Sequence, residues 1–139
     1  MSDAIDKAKK EKILLIEDND LNRYLVTFLM EKHGFQVVAA PDGPAGISMA
    51  QEEKPDLILL DIQLPGMDGY AVARTLRQDS SLESVPLVAV SSYAMAGDRE
   101  RALAAGFDGY LEKPIEPSEF VDQVRRFLNG AQGPKSPTD

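Results

Sequence analysis

The sequence lacks cysteine, contains a single histidine and has no long apolar run. Without cysteine the chain has no disulfide framework, no thiolate metal site and no thiol nucleophile. No apolar run approaches the ~18 residues of a membrane-spanning helix. The N-terminus also lacks the apolar segment of a secretion signal. These absences lead us to expect a cytoplasmic protein that makes no membrane contact.

Positive charge is also scarce, because 15 lysines and arginines stand against 23 aspartates and glutamates, giving a net charge of −8. Nonspecific binding to nucleic acid requires basic side chains that neutralise phosphates, so we expect no nucleic-acid partner. At 139 residues and 43% hydrophobic content, the chain is predicted to form one domain with its own core. We place this domain at residues 12–129, between a flexible tail at 1–11 and a disordered tail at 130–139.

Short apolar runs alternate along the chain with segments of helical periodicity. Strands are predicted at 12–17, 35–40, 57–61, 85–91 and 109–113. Helices are predicted to begin near residues 21, 44, 70, 98 and 117. The apolar residues that predict the first helix share one helical face: Leu21, Tyr24, Leu25, Phe28 and Leu29. This alternation predicts an α/β fold in which five helices cover both faces of a five-stranded parallel sheet. It leaves the strand order open.

Polar residues follow the ends of four predicted strands. They are Glu17 and Asp18 after the first strand, Asp61 after the third, Ser91 after the fourth and Lys113 after the fifth. The carboxyl ends of parallel strands lie at one edge of a sheet, which is where open α/β sheets bind ligands. We therefore expect these five side chains to share one crevice.

Three carboxylates in one crevice repel each other unless a cation lies among them. The only histidine, His33, is predicted at the far end of the first helix, so such a cation must accept oxygen ligands. Mg²⁺ prefers oxygen ligands and pairs with phosphate. Lys113 is suited to a phosphate oxygen, and a carboxylate such as Asp61 can attack phosphorus to give an aspartyl phosphate.

Taken one at a time, most of these residues also have ordinary structural explanations. Asp18 and Asn19 are both suited to capping the first helix, Ser91 is suited to a loop, and Lys113 to the surface. Asp61 is the hardest to explain in this way, because the next predicted helix begins several residues later. Their shared position at one sheet edge favours the functional explanation.

Four segments resemble the response-regulator receiver domain of two-component signalling over residues 12–129: “ILLIEDND”, “PDLILLDIQLPGMDGY”, “VPLVAVSSYAM” and “GYLEKPI”. The combination is most similar to stand-alone, single-domain regulators. The resemblance implies a doubly wound, flavodoxin-like (CheY-like) fold with strand order 2-1-3-4-5.

The resemblance also implies roles for the residues at the sheet edge. Asp61 is the expected phospho-acceptor, and Lys113 is the expected ion partner of the phosphoryl group. Mg²⁺ is expected to bind Asp18, Asp61 and the backbone carbonyl of Gln63, with Glu17 acting through water.

Further expectations from the resemblance concern switching and tuning. Ser91 is the expected switch hydroxyl, and Tyr110 matches the aromatic switch position, whose ring turns inward on activation. Gln63 and Tyr93 occupy positions that tune the lifetime of the phosphoryl group, and a bulky Tyr93 suggests slow hydrolysis. The Lys113–Pro114 bond is expected to be cis.

The implied partners are a histidine kinase or a histidine phosphotransfer protein. The output is expected either through a downstream protein that binds the fourth helix, fifth strand and fifth helix, or by onward transfer of the phosphoryl group. The resemblance implies no enzymatic activity beyond self-phosphorylation from donors and autodephosphorylation, in a monomer or a phosphorylation-dependent dimer. One alternative is a receiver domain excised from a hybrid histidine kinase. Another is a hydrolase of the haloacid-dehalogenase type, although this would require an acid at Gln63 and a nucleophile after the first strand.

Overall fold

The computed structural model describes residues 10–64, 68–92, 97–113 and 115–130. The strands are β1 (Lys12–Ile16), β2 (Gln36–Ala40), β3 (Leu57–Asp61), β4 (Leu87–Ser91) and β5 (Gly109–Glu112). The α-helices in these residues are α1 (Asp20–Lys32), α2 (Gly43–Glu53), α3 (Gly69–Arg77), α4 (Asp98–Ala105) and α5 (Pro117–Leu128). The predicted alternation is confirmed, with strand ends displaced by about one or two residues. A 3₁₀ helix at Ser80–Leu82, between α3 and β4, was not predicted.

The five strands form one parallel sheet in the order β2-β1-β3-β4-β5. This is the order that the resemblance implied. After β1 the chain places β2 on one side, and it then places β3 on the other side of β1. The carboxyl ends of β1 and β3 therefore flank the point where the winding reverses, which is the usual ligand crevice of such sheets.

The core has two layers because successive side chains of a strand point to opposite faces of the sheet. On one face Leu14, Ile16, Ile58 and Leu60 pack with buried residues of α2, α3 and α4. On the other face Ile13, Leu15, Leu57 and Leu59 pack with buried residues of α1 and α5. The central strand β3 is buried along its whole length, as its continuous apolar run predicts.

Helix α1 presents most of its apolar stripe to solvent. Leu21 is 63% exposed, Tyr24 65%, Leu25 50% and Phe28 57%. The residues of α1 that are buried against the sheet are Val26 and Met30, and Leu29 packs partly against the same core. The periodicity thus predicts the helix correctly, and most of the side chains that define it lie outside the core.

Several predictions lie outside the described residues: the tail segments 1–9 and 131–139, the tuning residue Tyr93, and the Lys113–Pro114 bond. Across the part of the chain that the structure describes, no helix combines the length and the apolar character needed to cross a membrane.

Candidate functional site

The carboxyl ends of the strands bring three acidic side chains together. Glu17 follows β1, Asp18 follows Glu17, and Asp61 is the last residue of β3. One carboxylate oxygen from each lies within 4.8 Å of the others. Glu17 is 3% exposed and Asp61 is 4% exposed, whereas Asp18 is open to solvent. The cluster therefore has a buried floor and an open side.

Asp61 is held at both carboxylate oxygens. Its Oδ1 accepts a hydrogen bond from the backbone N–H of Gln63 at 2.9 Å, and its Oδ2 accepts one from the Lys113 ammonium at 3.1 Å. The loop after Asp61 closes where Gly69 N–H donates to the carbonyl of Ile62 at 2.9 Å. A Cβ at Gly69 would lie 2.5 Å from the Ile62 Cα, so this closure requires glycine.

Lys113 lies between the two buried acids. Its Nζ is 3.2 Å from Glu17 Oε1 and 3.1 Å from Asp61 Oδ2, and its side chain is 16% exposed. Its backbone N–H donates to the carbonyl of Ser91 at 2.8 Å, which ties the residue after β5 to the end of β4. Lys113 is therefore fixed at the site by its backbone as well as by its charge.

Burial and the neighbouring charges shift the pKa values of Glu17 and Lys113. Burial raises the pKa of Glu17 above its usual 4.5 and the Asp61 carboxylate adds to this, while the backbone N–H of Asn19 and the Lys113 ammonium act in the opposite direction. Burial lowers the pKa of Lys113, but Asp61 and Glu17 outweigh burial and hold it above its usual 10.5. Lys113 is consequently a fixed positive charge at neutral pH.

The first turn of α1 shows which residue caps that helix. The Asn19 side chain accepts the N–H of Asn22 at 2.9 Å, and the N–H of Asn19 donates to Glu17 Oε2 at 3.1 Å. Of the two residues that the sequence offered as caps, Asn19 is therefore the cap and Asp18 is not. His33 ends the same helix, with Nδ1 3.0 Å from the carbonyl of Leu29.

The remaining predicted residues occupy the rim and one wall of the site. Ser91 ends β4 and is 3% exposed. Gln63 is exposed, and its Oε1 accepts the N–H of Ser92 at 3.4 Å, so it bridges the loops that follow β3 and β4. Tyr110 is 7% exposed and packs in the core layer on the α2, α3 and α4 side. It pairs with Ala89 in the sheet, two residues before Ser91.

The donor set of the cluster suits a small, hard cation. Glu17, Asp18 and Asp61 offer only oxygen, with one ammonium to offset three carboxylates. Mg²⁺ binds through one or two carboxylates, keeps several waters and needs an open side for them, which exposed Asp18 provides. The residues present therefore fit Mg²⁺.

Comparison with known proteins agrees with this geometry. The family “Response regulator receiver domain” matches residues 13–125. The polar-differentiation response regulator DivK of Brucella anthropi is 36% identical over 121 residues, which is 87% of this chain and 98% of that protein.

Solved structures extend the likeness to the fold. The receiver domain of the sensor histidine kinase PA1611 from Pseudomonas aeruginosa, solved with magnesium in its active-site cleft, is 33% identical with a TM-score of 0.81, covering 87% of this chain and 99% of that one. The chemotaxis regulator CheY4 of Vibrio cholerae has the same fold with a TM-score of 0.81 at 24% identity, covering 85% of this chain and 98% of that one. The chain therefore belongs to the family of response regulator receiver domains, the phospho-accepting domains of two-component signalling.

Proposed function

We propose that the protein takes a phosphoryl group from a phosphohistidine onto Asp61. The observation that supports this most directly is the environment of Asp61. Its carboxylate is buried at the end of β3, contacts the Lys113 ammonium at 3.1 Å and lies within 4.8 Å of two further acids. A carboxylate beside a fixed positive charge is placed to attack phosphorus where part of the charge of the phosphoryl group is already neutralised.

The transfer is a single displacement at phosphorus. An Asp61 oxygen forms the new P–O bond, the P–N bond to the donor imidazole breaks, and the electron pair of that bond leaves on the imidazole nitrogen. Lys113 contacts the phosphoryl oxygens, whose charge must be neutralised as the group moves. Asp18, Asp61 and the Gln63 carbonyl would hold Mg²⁺ and Glu17 would act through water; the bound ion supplies further positive charge to those oxygens.

The signal is proposed to arise from residues that respond to the phosphoryl group on Asp61. In this proposal the Ser91 hydroxyl moves to the phosphoryl group, and the Tyr110 ring takes part in the switch. Gln63 and Tyr93 set how long the phosphoryl group survives. A phosphoryl group with its cation then biases a two-state element of the fold.

The donor is proposed to bind along α1. Part of the exposed stripe of α1 lies in one wall of a groove of ≈ 950 Å³. Residues that line it include Leu25 and Phe28 on α1, Ile115 before α5 and Pro117 at its start, and Glu17 and Lys113 of the acidic site. A protein seated on this apolar surface would present a phosphohistidine to Asp61. A histidine kinase or histidine phosphotransfer protein is the occupant that carries such a group.

The output face is proposed to comprise α4, β5 and α5, the last of which also borders the donor groove with its first turn. Leu103 on α4 is 50% exposed there and offers an apolar contact for a downstream protein.

We take residues 12–129 as the receiver, with tails at 1–11 and 130–139. We also infer a cytoplasmic protein that acts as a monomer or as a phosphorylation-dependent dimer, either alone or as part of a hybrid kinase, with autodephosphorylation as its own further activity.

The test is intact mass after incubation with acetyl phosphate and Mg²⁺. We expect one added phosphoryl group in the wild type, no adduct in Asp61→Asn, and no adduct in wild type treated with EDTA. Asp122→Asn, which removes a carboxylate from an exposed position of α5, is the matched control and should be labelled normally.

An adduct that persists in Asp61→Asn would contradict the assignment of Asp61. Absence of any adduct leads to a second measurement with beryllofluoride, a stable mimic of the phosphoryl group. Binding of the mimic in the wild type and not in Asp61→Asn would mean that hydrolysis outpaces labelling, and absence of binding would contradict the proposal.

A further inference from the structure

Arg23, in the second turn of α1, reaches back to the loop that follows β1 and carries Glu17 and Asp18. Its Nη1 donates to the carbonyl of Glu17 at 2.9 Å and to the carbonyl of Asp18 at 3.3 Å. Its Nη2 pairs with the carboxylate of Asp20. The Arg23 side chain is 24% exposed and the Asp20 side chain 92% exposed. The guanidinium therefore points towards the loop, and Asp20 contacts it from the solvent side.

The two carbonyls that Arg23 binds flank the Cα of Asp18. One belongs to the peptide unit before Asp18 and the other to the unit after it. Peptide units are planar, so the backbone around Asp18 changes direction only through its own φ and ψ. A guanidinium that holds both carbonyls therefore restricts both dihedrals.

The Asp18 carboxylate depends on this restriction more than the other acids do. Glu17 is held by Asn19 and Lys113, and Asp61 is held by Gln63 and Lys113. Within the described residues, the exposed Asp18 carboxylate has no hydrogen-bond or ion-pair partner. Its position opposite the other two acids is therefore set by its backbone.

We propose that Arg23 is a positioning residue for the metal site, which fixes the backbone of Asp18 so that its carboxylate faces Glu17 and Asp61. The inference rests on the proposed function, because it assigns Arg23 to the Mg²⁺ site of that proposal. Groups that orient metal ligands typically contribute a factor of about 10–100 in metal affinity.

A positioning role and a purely electrostatic role of Arg23 predict opposite changes in Mg²⁺ affinity when this side chain is removed. Removing a positive charge close to three carboxylates should, by charge alone, strengthen the binding of a divalent cation. Loss of positioning should weaken it. Lysine keeps the charge of arginine but lacks the planar group that binds two carbonyls together. The sign of the change in Mg²⁺ affinity therefore separates the two explanations.

The experiment is Mg²⁺ titration of the full chain by calorimetry, with the unfolding temperature of each metal-free variant as an independent measure of fold. Arg23→Met should weaken Mg²⁺ binding about 10-fold, and Arg23→Lys should also weaken it. The matched control is Arg126→Met, which removes a guanidinium from an exposed position of α5 and should leave the affinity unchanged.

Equal or tighter Mg²⁺ binding by Arg23→Met would overturn the proposal. Weaker binding by Arg23→Met with full recovery in Arg23→Lys would also overturn it, because an ammonium without the planar group that binds both carbonyls would then suffice. If the wild type itself binds no Mg²⁺, the proposed function fails along with this inference. If only the Arg23 variants behave unexpectedly, the proposed function stands without it.

Discussion

At the scale of single residues, the Lys113 ammonium offsets the charges of two buried carboxylates. The contacts to Glu17 and Asp61 are 3.2 and 3.1 Å long, and both acids are almost inaccessible to water. Lys113→Met leaves the two acids facing each other. We expect it to lower the free energy of unfolding in EDTA by about 3 kcal/mol, the low end of the range for breaking a buried ion pair.

Added Mg²⁺ should distinguish this electrostatic loss from a general packing defect. Because the ion can replace the missing charge, it should raise the unfolding temperature of Lys113→Met more than that of the wild type. The control is Lys113→Met in an Asp61→Asn background, where one of the repelling acids is gone and the loss should be smaller. An unchanged denaturation midpoint for Lys113→Met in EDTA would show that the acids do not depend on this lysine.

Glu116, at the start of α5, should make the stability of the fold depend on pH. Its carboxylate caps α5 by accepting the N–H of Glu119 at 2.9 Å and the hydroxyl of Ser118. These bonds, the backbone one first, lower the pKa of Glu116 below its usual 4.5. A lowered folded-state pKa means that the stabilisation is complete above about pH 4.5 and is lost as the pH falls through the folded-state value.

Glu116→Gln should therefore unfold at a lower temperature than the wild type at pH 7, and the difference should shrink towards pH 3. Thermal denaturation across this range measures it. Glu83→Gln serves as the control, because Glu83 is exposed and its side chain makes no hydrogen bond among the described residues. A difference that stays constant with pH would mean that the charge of Glu116 contributes nothing to the cap.

At the scale of secondary-structure elements, Arg77 ties the end of α3 to three other segments. Its guanidinium donates to the carbonyl of Gly106 at 2.8 Å and to that of Val85 at 2.9 Å. It also pairs with Asp108 at 2.7 Å, and Asp108 accepts the N–H of Leu87 at the start of β4. The end of α4 is thereby fastened to the sheet. The start of α4 follows Gly97 and has no side-chain cap.

Arg77→Met should lower the free energy of unfolding by about 3 kcal/mol, since it removes a donor from several partly buried carbonyls and the ion partner of Asp108. Arg77→Lys should recover little, because an ammonium cannot reach the same set of acceptors. Arg74→Met, an exposed arginine of the same helix, is the matched control in urea denaturation and should be within about 0.5 kcal/mol of the wild type. Similar losses in the two variants would contradict the role of Arg77.

The sequence predicts the elements well and the long-range side-chain contacts poorly. Apolar runs and glycine or proline at helix ends specify β1 to β5 and most helix limits, because these signals are local. Contacts such as Arg77 with Asp108 join residues 31 positions apart, and no local pattern indicates them. The need for glycine at position 69 likewise appears only once the backbone of Ile62 is seen beside it.

At the scale of the whole molecule, the acidic site depends on the complete sheet. Glu17 and Lys113 are 96 positions apart in the chain and meet only because β1, β3, β4 and β5 lie side by side. Because the strand ends could be read from the sequence, the grouping of the acids at one edge could be predicted. The exposure of the apolar face of α1 could not be predicted, because an apolar helical face has the same sequence pattern whether it is buried or exposed to solvent.

That exposed side leads to a prediction about donors of different size. A small donor such as acetyl phosphate needs only the crevice around Asp61, whereas a protein donor must also seat itself on α1. Leu25→Ala should therefore slow phosphorylation by a histidine phosphotransfer protein that labels the wild type. We expect a loss of about 10-fold, as for truncating one well-buried contact residue of an interface.

The matched control is Leu103→Ala on α4, because Leu25 and Leu103 are equally exposed at 50%. Both variants should keep the wild-type rate with acetyl phosphate, measured by intact mass, since neither side chain belongs to the acidic cluster. Only Leu25→Ala should be slow with the protein donor. Equal rates for the two variants with that donor would place its binding surface elsewhere. A loss with acetyl phosphate as well would mean that Leu25 acts on the site itself.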